Sequence, residues 1–349
     1  MLKQLGAKRM TVLAIISIVL VIVVAGVGLL VSGTLNQKQV NGTPTPGGVA
    51  SATPNNGAAS PLVFGTNLSL YDTHDLTISS QKAQQLMQKI HVSIVRMPTR
   101  SKVDEGVLTA AAQMIKTINA TPLIILNGLR NANYVAYDTH IVSLMNQIFG
   151  DGIVYYEFGN EDDFNGVTME RYIQGWNSLI PALKKLAPQA HFVGPVSYQY
   201  SRKNLTTFLQ GANPQPDEIS WHEYTCPYKA TADKCLASID KWTVHINDAR
   251  SAMQATINKE LPIMITEWNY CPDQSIQANG LAIADGKIDN TDFMTQWTTK
   301  AIQTLVADHV FASMQYAVTN TPIPMITQDN TVTTQGTAFQ AMYERVIGK

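Results

Sequence analysis

The chain has little charge and little cysteine. Only 15% of its 349 residues are Asp, Glu, Lys or Arg, and 25 basic side chains nearly balance 26 acidic ones. Nucleic-acid binding calls for a clustered excess of Lys and Arg, so no nucleic-acid partner is expected. The same balance excludes an acidic solvating tail, and a 45% hydrophobic composition excludes a wholly disordered chain. With three cysteines the chain carries no dense disulfide framework, and one of this length buries a core without one. Several catalytic signatures are missing as well. No G-x-G-x-x-G turn follows the first strand candidate, no G-x-S-x-G elbow or phosphate loop is present, and His222-Glu223 lacks the second His of H-E-x-x-H. The seven histidines show no close ligand spacing, and no twelve-residue calcium loop is legible. Neither a cofactor nor a metal is expected.

What is present begins with an apolar run. Lys3, Lys8 and Arg9 precede an uncharged stretch whose apolar heart covers residues 12–31. Twenty residues at 1.5 Å rise span about 30 Å, the thickness of a bilayer core. A secretory signal has an apolar region of only about 7–15 residues and a small-x-small cleavage site. The run here is longer and ends in Gly28-Leu29-Leu30-Val31-Ser32-Gly33, without such a site. We therefore expect a cytoplasmic basic flank at 1–9, a transmembrane signal-anchor at 10–32, and everything downstream outside the membrane. Cleavage would instead release a secreted protein. Residues 33–60, with Thr43-Pro44-Thr45-Pro46-Gly47-Gly48, read as a flexible Gly/Pro/Ser/Thr-rich linker.

Residues 61–349 alternate short apolar runs with longer helical patterns. Strands are expected at 62–69, 92–97, 123–127, 154–158, 191–197, 218–224, 263–268 and 311–317. Helices are expected at 80–90, 107–118, 141–149, 169–186, 205–210, 239–258, 292–307 and 336–346. Strands without strict alternation fit a parallel sheet buried on both faces. Eight repeats in about 290 residues predict a single (β/α)₈ barrel rather than an open doubly wound sheet.

In such a barrel, functional residues stand where strands run into the following helices. The polar residues at those ends are Arg96, Asn127, Asn160 with Glu161, His222 with Tyr224, and Glu267 with Trp268. A carboxylate directly after an apolar strand, as in Ile263-Met264-Ile265-Thr266-Glu267, is costly if buried and unpaired. Strands four and seven face each other across a barrel mouth, so Glu161 and Glu267 can meet over one bound sugar. Glycoside hydrolysis needs that pair: one protonated carboxyl for the leaving oxygen and one ionised carboxylate for the anomeric carbon. Glu157 is a lesser candidate for the acid. His222 and Tyr224, two residues apart, share a strand face, whereas Glu223 points away and reads as structural. The aromatic residues Tyr155, Tyr156, Trp221, Trp268, Tyr270 and Tyr316 are candidates to stack on a sugar, Trp268 foremost.

Asn160-Glu161 at strand four, His222-x-Tyr224 at strand six and Glu267 at strand seven together resemble clan A of the glycoside hydrolases, the retaining (β/α)₈ enzymes of the cellulase and xylosidase type. The resemblance implies that Glu161 is the acid/base, Glu267 the nucleophile and Asn160 a ligand of the sugar 2-hydroxyl. It also implies that Tyr224 hydrogen-bonds the nucleophile, that Arg96 keeps it ionised, and that His222 lines the subsite of cleavage. Many members carry a Trp on strand eight as the floor of the sugar site; residues 311–316 contain none, which leaves Tyr316 or Trp268 for that place. A non-catalytic carbohydrate-binding barrel and a transglycosylase using the same residues are the competing expectations. In an oxidising compartment one disulfide is expected, Cys226 pairing either with Cys235 or with Cys271.

Overall fold

The computed structural model describes residues 58–70, 74–100, 102–226, 229–270 and 286–348. The expected transmembrane segment, its basic flank and nearly all of the linker lie outside these residues. Among the described residues, no helix is long and apolar enough to cross a membrane.

Eight strands close into one barrel in sequence order: β1 (Gly65–Asn67), β2 (Ile94–Pro98), β3 (Thr121–Leu126), β4 (Tyr155–Phe158), β5 (His191–Ser197), β6 (Glu218–Glu223), β7 (Ile263–Trp268) and β8 (Ala312–Gln315). Each neighbouring pair is parallel, including β1 with β8. The predicted (β/α)₈ architecture is the observed one. The helices are α1 (Leu76–Ser79), α2 (Gln81–Lys89), α3 (Glu105–Thr117), α4 (Tyr134–Phe149), α5 (Met169–Leu186), α6 (Arg202–Gly211), α7 (Ala232–Ser238), α8 (Asp240–Ile257), α9 (Thr291–Ala307) and α10 (Thr334–Val346).

Differences from the sequence reading have local causes. The first strand is shorter than expected because Pro61–Val63 wind into a 3₁₀ turn, capped by the Ser60 side chain on the Leu62 N–H. Proline at the start of a helical turn loses no hydrogen bond. Helix α4 begins seven residues before the expected 141, through a stretch whose buried residue is Asp138, which accepts the backbone N–H groups of Asn127 and Gly128 at 2.9 and 3.0 Å. An apolar period cannot reveal a turn buried through a carboxylate. Helix α7 is an unpredicted element, capped by Thr231 and joined to the end of β6 by a Cys226–Cys235 disulfide with Cα atoms 4.5 Å apart. Of the two pairings left open, this is the one formed; Cys271 lies outside the described residues.

The barrel interior is layered. At the floor, Ile94, Leu123, Tyr155, Val193, Met264, Ala312 and Met314 form an apolar cluster separate from the larger core between strands and helices. Two residues further along their strands, Arg96 and Glu157 face the same interior, and Ser220 on β6 donates to Glu157 at 2.9 Å. The layer above opens at the mouth.

Candidate active site

The turn after β4 is built by backbone in the left-handed region. Gly159 has φ +84°, and a Cβ there would stand 2.7 Å from the Asp162 carboxylate. Glu161 itself has φ +50°, and its N–H donates at 3.0 Å to the carbonyl of Val196, which has φ +55° at a register shift of β5. Positive φ is uncommon for a non-glycine residue and a genuine outlier for a β-branched one. Two such residues joined by a hydrogen bond put strain where Glu161 is aimed, a cost of order 1–3 kcal/mol each.

Glu267 is aimed by a different irregularity. Trp221 and His222, adjacent on β6, pair with Ile265 and Glu267 on β7, so Thr266 is an extra residue. A bulge reverses the parity of the side chains beyond it. Met264 lies in the barrel interior, yet Glu267, three residues on, also faces inward, where strict alternation would have turned it out.

Arg96 is the hub beneath both. Its Nη1 donates to Glu267 Oε1 at 2.5 Å and to Asn67 Oδ1 at 3.0 Å; its Nε donates to Glu157 Oε2 and its Nη2 to Asn160 Oδ1, each at 2.5 Å. Burial alone would drive this guanidinium toward neutrality, but the Glu157 and Glu267 carboxylates outweigh it and raise its pKa. Tyr224 donates its hydroxyl to Glu267 Oε2 at 2.8 Å. The His222 Nδ1 lies 2.8 Å from Glu161 Oε1 and 3.7 Å from Glu267 Oε2. Burial alone would raise the Glu267 pKa; the charges of His222 and Arg96 and the hydrogen bonds from Tyr224 and Arg96 overcome it and hold the carboxyl below its ordinary value. Burial would lower the His222 pKa, but the two carboxylates raise it on balance.

One carboxylate oxygen each from Glu161 and Glu267 lies with a His222 ring nitrogen inside a span of 4.8 Å. Such a trio has the donor set for a divalent cation, but the Arg96 guanidinium against Glu267 opposes a second positive charge there. The structure thus brings together Arg96, Asn160, Glu161, His222, Tyr224 and Glu267 as the sequence reading expects. Tyr316, half-buried just past β8, lies near enough to Tyr224 for the two phenols to interact electrostatically.

Two expected site residues do not join the network around Arg96. Trp268 is fully buried, in edge contact with Trp242 of α8 at 6.1 Å, and its Nε1 donates to Ser313 Oγ at 3.2 Å. Next to inward-facing Glu267 on a strand, its ring has to face the helices, so it cannot stack on a sugar. Asn127 uses its amide as a brace, donating to the Thr99 carbonyl at the end of the neighbouring strand, and has no bond to either carboxylate. Tyr155 is on the barrel floor, and Tyr156, Trp221 and Tyr270 are buried core rings. Glu157 is sealed between Arg96 and Ser220, which rules it out as the acid, and Glu223 accepts from Trp221 Nε1 and contacts His245 on the outer face, as expected. Sequence reasoning missed Asn67, which carries Arg96 on its Oδ1; its signal was an amide inside the first apolar run.

Tyr224→Phe tests the electrostatics. Glu267 would lose one of the donors that hold it ionised, so the acidic limb of kcat/KM should move upward, with activity on the plateau lowered by about tenfold. An unmoved acidic limb, measured between pH 3 and 7, would show that Tyr224 does not hold the Glu267 charge.

No family model matches the chain, and no curated protein matches it by sequence. Solved structures do match in fold. A 4-O-α-L-rhamnosyl-β-D-glucuronidase from Fusarium oxysporum 12S superposes with a TM-score of 0.60 at 12% identity, covering 84% of this chain and 72% of that one. A GH5-4 broad-specificity endoglucanase from Clostridium longisporum gives 0.56 at 9% identity, over 82% and 99% of the two chains. A glycoside hydrolase family 17 β-1,3-glucanosyltransferase from Rhizomucor miehei gives 0.54 at 10%, over 78% and 96%. What the chain shares with these glycoside hydrolases is the (β/α)₈ fold.

Proposed function

We propose that the barrel is a retaining glycoside hydrolase acting on a poly- or oligosaccharide. The observation that carries this reading is the separation of the two carboxylates, with an oxygen of each inside the 4.8 Å span. About 5–5.5 Å between carboxyl groups suits direct attack on the anomeric carbon, whereas inversion needs about 6.5–9.5 Å to admit a water. Glu267, held ionised, attacks that carbon as Glu161 gives its proton to the departing oxygen; the C–O bond breaks and a glycosyl ester on Glu267 forms. Water then enters, Glu161 takes its proton, and the new C–O bond displaces Glu267. Asn160, with its Oδ1 turned to Arg96, keeps its amide N–H₂ for a sugar hydroxyl. His222, touching Glu161, orients the acid/base for both steps.

The fold neighbours support a carbohydrate substrate, since one is a glucuronidase in complex with Rha-GlcA and another an endoglucanase. The glucanosyltransferase among them makes transfer to a sugar acceptor the second reading, one that uses the same first step. The test is incubation with 2-deoxy-2-fluoro β-glycosides carrying a dinitrophenyl leaving group, followed by peptide mass spectrometry. A sugar on the Glu267 peptide is expected; inactivation without it, or a label elsewhere, overturns the assignment. The apolar run at residues 12–31 supports a membrane tether with this chemistry outside the cytoplasm. Release of the protein by carbonate at high pH, without detergent, would contradict the tether.

A further inference from the structure

We infer that Phe164 and Tyr198 form the platform for the sugar on the leaving-group side of the scissile bond, an inference that rests on the glycosidase reading above. Phe164 is 43% exposed, and it is the one aromatic among the strongly exposed large apolar residues described. A single exposed apolar side chain needs no explanation. This one is built into place. Its ring lies 4.6 Å from that of Tyr198, tilted by 35°. One carboxylate holds both residues: Asp163 Oδ1 accepts the backbone N–H groups of Phe164 and Tyr198 at 3.0 Å each, and its Oδ2 accepts from Asn204 of α6 at 3.2 Å.

Position gives the platform its occupant. Phe164 follows Glu161 by three residues in a turn closed by Asn165 N–H on the Glu161 carbonyl. Tyr198 directly follows β5, two residues after the carbonyl that anchors the Glu161 N–H. In a retaining site the departing oxygen lies against the acid and the retained sugar against the nucleophile. Tyr224 of the β6 end donates to Glu267, and Tyr316 past β8 lies by Tyr224, so the retained side is that of β6 to β8. The departing group therefore lies beyond Glu161, over the ends of β4 and β5, where the two rings stand. Aromatic faces rimmed by polar groups suit the apolar face of a pyranose. The leaving group is thus a sugar ring, and the substrate is a chain that continues past the point of cleavage.

The experiment compares leaving groups with and without a sugar. The probes are β-cellobiosyl, β-xylobiosyl, β-mannobiosyl and β-laminaribiosyl fluorides, whose leaving group is a bare ion, against the corresponding tetrasaccharides. For whichever pair the wild-type protein cleaves, Phe164→Ala should lower kcat/KM on the tetrasaccharide about 5–10-fold more than on the fluoride, mainly through KM. Phe164→Trp, which keeps a ring, should restore the wild-type ratio. An equal loss on both substrates would make the residue merely structural, and no loss on either would make the ring idle; either overturns the platform while leaving the glycosidase reading intact. Failure of the wild type on every fluoride and every tetrasaccharide would overturn the glycosidase reading and the platform with it.

Discussion

Replacement of Glu267 by Gln is expected to lower kcat/KM by about 10⁴-fold or more, because no neighbouring group takes over as nucleophile. The Gln amide keeps the shape, and Arg96 keeps Glu157 and Asn160 as partners, so the barrel should survive. Glu161→Gln should differ in kind as well as size. Loss of general acid/base assistance costs about 10²–10⁴-fold on substrates with poor leaving groups. On a dinitrophenyl glycoside the first step needs no proton, so the glycosyl-enzyme should accumulate and appear as a burst. Shortened side chains separate the roles further. With Glu267→Ala, added azide should enter from the nucleophile's face and give an inverted glycosyl azide. With Glu161→Ala, azide should replace the second-step water and give a retained one. Retention of full activity in either Gln variant, or azide products of the opposite configuration, would sink the assignment.

The second large effect is on stability. Arg96→Met should cost about 3–5 kcal/mol at pH 7, because it strands two buried carboxylates that the guanidinium now neutralises. The pH dependence has a definite sign. Glu267 has its folded pKa depressed, so its contribution is full above the ordinary carboxylate range and is lost as pH falls through the lower folded value. The variant lacks that contribution, so the gap between variant and wild type should narrow on acidification from pH 7 to about pH 3. Adding Glu157→Gln to Arg96→Met should recover part of the loss, since one stranded charge is removed. Denaturant midpoints at the two pH values check this. A gap that is constant with pH would mean that packing around the long Arg stem, not charge, sets the cost.

Much of this was legible before any coordinates. Strand and helix alternation gave the barrel, because parallel strands with crossover helices must bury both sheet faces and so read as apolar runs. The positions of Arg96, Glu161 and Glu267 stood out because a charged group at the end of an apolar strand requires either a partner or a task. The differences come from side-chain direction and partners. Trp268 looked like a sugar platform because it adjoins Glu267, but adjacency on a strand puts two side chains on opposite faces. Asn127 sits at the correct end of β3, yet its amide is taken by the Thr99 carbonyl of the neighbouring strand. Phe164, in an irregular loop outside any period, gave no signal at all.

The pattern of residues alone determined the fold class, the end of the barrel that carries the site and the charged groups gathered there, since burial and period are local properties of a chain. Only the tertiary structure decided how those groups meet. The extra residue Thr266 turns Glu267 inward, and the Glu161 N–H is fastened to Val196 on another strand. Both depend on which backbone atoms lie opposite each other in the closed barrel, a relation between segments that no single stretch of sequence contains.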